Sequence, residues 1–198
     1  MGLDLEYVNG QTPIDEDEKE GLLISSITTR GELNEFEHLN IEETNQWLLG
    51  KKFAVEIVLT EKFIKELHKR MFGNVWKWAG QFRTTNKNIG SDKHNIGIDL
   101  KMLLDDSKYW IEHKTFSEDE IAIRFSHRLV KIHCFANGNG RHSRMIGDLL
   151  IEKCFGKEPF SWGGNNLTDI SKTRTEYISA LRSADEEDYA ALMKFARE

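Results

Sequence analysis

The chain has 198 residues, enough for one domain whose core hides about 70% of the unfolded surface. Its 27 Lys+Arg against 33 Asp+Glu leave a net charge of −6, which argues against a sequence-independent grip on nucleic acid. Two cysteines, Cys134 and Cys154, make neither a metal spacing nor a disulfide framework. With no basic and apolar leader at the start and no run approaching about 18 apolar residues, the expectation is a reduced, cytoplasmic setting without a membrane span.

Residues 1 to about 24 are acidic and weakly patterned, and read as an extended arm with a turn near Thr12-Pro13. Leu33, Phe36, Ile41, Thr44, Trp47 and Leu48 recur at steps near three and four, which predicts a helix over about 29–49, stopped by Gly50. Thr60 caps a helix carrying Phe63, Ile64, Leu67 and Met71, ended by Gly73. Residues 74–98 lose that period. The segments 81–85 and 95–98 are expected to pair as a small hairpin around 88–93. Helical spacing resumes with Leu100, Leu103, Leu104, Tyr109 and Ile111. Ser117-Glu118-Asp119-Glu120 has the form of a capping box, and its helix runs through Ile121, Phe125 and Leu129 to Ile132. A further helix through Met145, Ile146, Leu149 and Leu150 ends at Gly156, and two more, near 171–184 and 186–197, close the chain.

The chemistry gathers between two of these helices, in the stretch His133-Cys134-Phe135-Ala136-Asn137-Gly138-Asn139-Gly140-Arg141-His142-Ser143-Arg144. Glycines on both sides of Asn139 let successive N–H groups curl toward one point. A helix starting there adds its unpaired first-turn N–H groups, an anion cradle. Arg141 and Arg144, three apart, share a helix face, and guanidinium forks suit phosphate oxygens. His133 is a titratable base at the rim. Together these predict a polyphosphate site with a general base. A histidine that merely caps a helix end, and arginines that merely solvate one, are the plainer alternatives.

The same stretch resembles the Fic family signature H-P-F-x-(D/E)-G-N-G-R-x-x-R. His133, Phe135, Gly138, Asn139, Gly140, Arg141 and Arg144 match; Cys134 and Asn137 depart. The segments 76–83 and 27–35 resemble the bacterial subgroup called mobile mystery protein B. The resemblance implies a mostly α Fic fold over 1–198, a helical bundle around the helix pair that brackets the motif, with a hairpin flap near 81–98. It implies a protein adenylyltransferase that moves AMP from ATP to a Ser, Thr or Tyr hydroxyl of a target protein, with self-modification as a further outcome.

In that frame His133 is the base. Gly138, Asn139, Gly140, Arg141 and Arg144 hold the ATP phosphates. Asn137 stands where the family's Asp or Glu helps hold Mg²⁺ and offers only a neutral oxygen. That departure keeps open another nucleotide donor, de-AMPylation, or a nucleotide-binding regulator with impaired chemistry. Glu32, in Thr28-Thr29-Arg30-Gly31-Glu32, is expected to be an auto-inhibitory acid paired with Arg144 on a helix near 29–49, with Glu35 as the alternative. Tyr177 and Asp185 are expected to border adenine, and Thr85, Asn86, Lys87, Asn88 and Ile89 to dock the target. Phe135 reads as a packing anchor and Cys134 as a small buried filler. Metal binding by His127, His133 and His142 is disfavoured by their spacing, and no Walker A string occurs.

Overall fold

The computed structural model describes residues 13–164 and 170–198. Its elements are α1 (Glu16–Lys19), α2 (Arg30–Leu48), α3 (Val55–Val58), α4 (Glu61–Phe72), α5 (Ile96–Glu112), α6 (Glu118–Ile132), α7 (Asn139–Asp148), α8 (Ile170–Asp185) and α9 (Ala190–Arg197). A π-helical turn over Leu149–Cys154 prolongs α7. Most of the expected arm, residues 1–12, lies outside the described residues.

Side-chain caps set the starts of the main helices. Thr29 accepts the Glu32 N–H, while Glu32 reaches back to the Thr29 N–H. Thr60 accepts from Phe63 N–H and Ser117 from Glu120 N–H. Each cap satisfies donors that would otherwise face water or nothing. Gly50, at φ +69°, turns the chain after α2. The expected hairpin does not form. Among the described residues the one β-type pairing is an isolated bridge between Leu22 and Trp76. Residues 96–98 instead begin α5, with Ile96 buried in line with Leu100, Leu103 and Leu104. Four buried residues in a helical period outweigh a short alternation.

α6 and α7 pack side by side, with α5 and α9 against α6 and α4 against α7. α2 lies across α4. The core between them includes Leu33, Ile64, Leu67, Phe72, Trp76, Phe125, Phe135 and Ile146. Two histidines are buried within it. His142 on α7 meets the Ile64 carbonyl of α4 through Nε2, at 3.0 Å. His68 accepts the Gly80 N–H at Nδ1, 3.0 Å, so its Nε2 carries the proton and donates to the Asn137 carbonyl, 3.0 Å. On the far end of α7, Asp148 accepts from Trp162 Nε1 at 2.9 Å and from Phe160 N–H at 3.2 Å. No described helix is long and apolar enough to cross a membrane.

Burial keeps both histidines neutral. It lowers His142 to about 3 and His68 well below the usual imidazole range. Unfolded imidazoles titrate near 6.5, so the unfolded chain binds the extra protons first. Stability is therefore present above about pH 6.5 and lost as pH falls toward 3, by about 1.4 kcal/mol per pH unit for each fully buried histidine. Asp148 works the other way, because burial raises it to about 7 and the folded state holds its proton. The difference between wild type and His142→Gln isolates the histidine: Gln keeps a donor for Ile64 but does not titrate. Urea midpoints at several pH values should show the variant gaining on wild type steadily below pH 6.5. A constant difference would mean that His142 is not held neutral.

Candidate active site

The loop between α6 and α7 is locked by its own side chains. His133 ends α6 in the left-handed region, φ +56° and ψ +60°, which reverses the chain at once. Phe135, fully buried, stacks on the His68 ring at 3.7 Å. The Asn139 carboxamide then takes both backbone groups of Phe135: Oδ1 accepts its N–H at 2.9 Å and Nδ2 donates to its carbonyl at 2.8 Å. Asn139 was expected to cradle phosphate. Its side chain shapes the loop through these two bonds, and its backbone lies in the first turn of α7.

Gly138 is the N-cap of α7, at φ +78°, with no side-chain cap on the helix start. A Cβ there would lie 2.6 Å from the Phe72 ring, so glycine is required by the fold. Gly140 differs. A Cβ there would meet nothing within 4 Å. The fold does not demand glycine at that point; what it leaves is open space beside the first turn of α7. An uncapped helix start facing open space is where an anion binds best.

The two arginines are engaged differently. Arg141 meets the Glu37 carboxylate at 2.7 Å and lies over the Phe72 ring at 4.8 Å. Glu37 is buried, and its other oxygen accepts Trp76 Nε1 at 2.7 Å. Arg144 lies 5.1 Å from the Tyr177 ring centre and forms no ion pair among the described residues. Both arginines line a cavity of about 520 Å³ with Asn45, Asp148 and Trp162.

Glu32 does not reach this place. Its carboxylate caps α2, accepting the N–H groups of Thr28 at 2.8 Å and Thr29 at 3.0 Å, and it is solvent-exposed. The acid that meets a motif arginine is Glu37, and the arginine is Arg141. Glu35, the alternative, is exposed on another face of α2. Tyr177 stands beside Arg144. The Asp185 carboxylate is held by His127 Nε2 at 3.1 Å and Lys131 Nζ at 3.0 Å.

His133 is nearly buried, and its imidazole is pushed down to about 4, first by burial, then by the Arg83 and Lys87 charges, against the pull of the Val130 carbonyl. At neutral pH the imidazole is therefore uncharged. Bound phosphate would bring negative charge nearby and raise its basicity. Cys134 is buried, with its thiol pushed up to about 12, which fits an inert filler.

The flap is a loop and not a hairpin. Asn86 bonds Asp92 and Lys93 within it. Asn88 and Ile89 are exposed, Ile89 by 51%. Thr85 and Lys87 face the start of the described chain: Thr85 Oγ1 donates to Asp15 at 2.9 Å, and Lys87 Nζ meets Asp15 at 2.8 Å and Glu18 at 2.6 Å. Three of the five expected docking side chains, Thr85, Asn86 and Lys87, are thus occupied from within.

A magnesium site built by protein ligands does not fit these residues. Asn137 Oδ1 takes the Gly138 N–H at 2.7 Å, and its own carbonyl takes His68. No group of three or more His, Cys, Asp or Glu able to hold a metal occurs among the described residues.

The model of the Fic/DOC family matches residues 58–151. Curated relatives include Protein adenylyltransferase Fic of Drosophila grimshawi, 27% identical, with 79% of this chain and 33% of the relative covered. The protein of the same name in Drosophila melanogaster is 28% identical, with 79% and 32% covered. The chain thus spans about a third of the length of these relatives. Among solved structures, Fic-1 of C. elegans (residues 134–508) superposes with a TM-score of 0.65 at 22% identity, over 90% of this chain and 51% of that one. BepC of Bartonella tribocorum, solved with bound AMPPNP, gives a TM-score of 0.68 at 15% identity, over 92% and 97%. The fold is that of Fic domains, and the stretch that matches the Fic/DOC family model, residues 58–151, holds His133, the glycine bracket and both arginines.

Proposed function

We propose that this protein is an adenylyltransferase that transfers AMP from ATP to a side-chain hydroxyl of a protein. The observation that carries this reading is the pairing of a neutral, nearly buried His133 with an uncapped α7 N-terminus that opens beside Gly140. The names of the curated relatives support the donor and the reaction class.

The chemistry follows from those parts. A Ser, Thr or Tyr hydroxyl oxygen attacks the α-phosphorus as its proton passes to the His133 imidazole. The bond from the α-phosphorus to the bridging oxygen breaks, and pyrophosphate leaves. The α7 N-terminus, Arg141 and Arg144 stabilise the charge that grows on the departing group. No covalent nucleophile on the enzyme is needed, because positioning and charge stabilisation suffice. Any Mg²⁺ would have to be held by the nucleotide's own phosphates and water, since the Asn137 side-chain oxygen accepts the Gly138 N–H.

His133→Ala should abolish transfer while leaving ATP affinity within about threefold of wild type, because a base acts in the transition state. Intact-mass measurement of AMP on the protein or a hydroxyl-bearing acceptor reads the first, and calorimetric ATP titration the second. Retained transfer would remove His133 from the mechanism.

A second reading concerns control. Arg141 is held by buried Glu37, so ATP must replace a carboxylate with its phosphates to engage that arginine. Glu37→Gln keeps an oxygen for Trp76 but removes the charge. It should raise ATP affinity and self-modification by about tenfold, about 1.4 kcal/mol of released competition. Glu32→Gln, altering only an exposed cap, should leave both near wild type. Lower activity in Glu37→Gln would make Glu37 a support for Arg141 and not a brake.

A further inference from the structure

Three consecutive backbone carbonyls end α6, those of Ile132, His133 and Cys134, and each accepts from the flap loop. Ser91 N–H donates to Ile132 at 3.1 Å, Arg83 Nε to His133 at 2.6 Å, and Arg83 N–H to Cys134 at 3.0 Å. The same guanidinium donates through Nη1 to the Thr85 carbonyl at 2.7 Å and through Nη2 to the Ser91 carbonyl. Arg83 is 4% exposed. One planar fork therefore ties three chain segments at fixed angles: both sides of the flap and the peptide of His133.

Two further features need that tie. His133 is a non-glycine residue in the left-handed region, a conformation that persists only where its surroundings hold it. At Gly90, φ +100°, a Cβ would stand 2.6 Å from the His133 Cβ and 3.0 Å from Arg83 Nη2. The loop is thus closed down directly on the histidine, with no room for a side chain between. The carbonyl end of α6 also carries the negative end of the helix dipole, which favours a cation there.

We propose that Arg83 is a positioning residue, which fixes the His133 peptide and the height of the flap together and so sets the base against the hydroxyl of a segment docked on the flap. This rests on the reading of His133 as the base. Lysine cannot take the role, because an ammonium lacks the planar fork that serves three separated carbonyls. The charged groups that bear on His133 are Arg83 and Lys87 of the flap, with Asp15 and Glu18 behind Lys87. From α6 itself it is the Val130 carbonyl that acts.

The test compares Arg83→Lys, Arg83→Gln and Gly90→Ala with wild type, and with His133→Ala as the reference for loss of the base. Single-turnover AMP incorporation at saturating ATP gives the rate, and calorimetry gives the ATP affinity. Arg83→Lys should lose about 100-fold in rate, the effect expected from a shift of about 1 Å in a reacting group, with ATP affinity within about threefold. Arg83→Gln should lose as much and also move the acid limb of the pH–rate profile upward, because it removes a positive charge from beside His133. Arg83→Lys should leave that limb in place. If His133→Ala is inactive while Arg83→Lys keeps its rate within threefold, the positioning role is overturned and the base stands. If His133→Ala is active, the base reading itself has failed. Should Arg83→Lys lose its cooperative melting transition, Gly90→Ala decides: its Cβ displaces both Arg83 Nη2 and His133, so a large drop in rate supports the proposal and an unchanged rate overturns it.

Discussion

The Asn139 carboxamide closes a ring on the backbone of Phe135, and the site is built outward from that ring. Two hydrogen bonds from one side chain fix the path of the loop between α6 and α7. Phe135 is pinned on His68, and His68 in turn holds the Asn137 carbonyl. With the loop so held, Gly138 can start α7 without a side-chain cap, and the helix presents its first N–H groups to open space. Each bond is worth only about 1 kcal/mol net, but an unmade one in the interior costs more. The polar loop therefore has one arrangement that leaves its buried groups satisfied.

Electrostatics then divides the labour. Burial keeps His133, His68 and His142 uncharged, so the positive charge near the helix start comes from Arg141 and Arg144. Arg141 is balanced by Glu37, whereas Arg144 forms no ion pair among the described residues and lies 5.1 Å from the Tyr177 ring centre. A buried ion pair contributes little net stability, since desolvation offsets much of the attraction. Drawing Arg141 away would leave the Glu37 carboxylate buried without a cation, so a polyanion that engages this arginine, itself a third exposed, has to compete with Glu37.

Much of this was legible from the residues. Thr60 and Ser117 marked helix starts because a cap is a local device, decided within four residues. The motif loop was legible because glycine, asparagine and arginine at those spacings have few other uses. Glu37 was not found, although the signal existed. The buried residues of α2 are Leu33, Glu37, Asn40, Thr44 and Leu48. A stripe through Leu33 and Leu48 at steps of four and three passes through Glu37, whereas Phe36, counted as core, is 38% exposed. Glu32 drew attention by a short pattern that here serves the capping box. His68 was hidden for the same reason as Glu37: it lies on the apolar face of α4 with Ile64, Leu67 and Met71, where a histidine needs tertiary partners to explain it. The hairpin failed because the flap is held by a buried arginine and not by a ladder. A single guanidinium joining three carbonyls leaves no periodic trace.

The central claim is that the α-phosphorus is the atom attacked, with the outer phosphates held on α7 and departing together. Incubating the protein with ATP labelled at the α- or the γ-phosphorus tests it directly. The account predicts that the α-label becomes covalently bound to protein while the γ-label leaves as pyrophosphate. Covalent γ-label, or γ-label released as single phosphate, would place the attack at the other end of the nucleotide and contradict the assignment of the site.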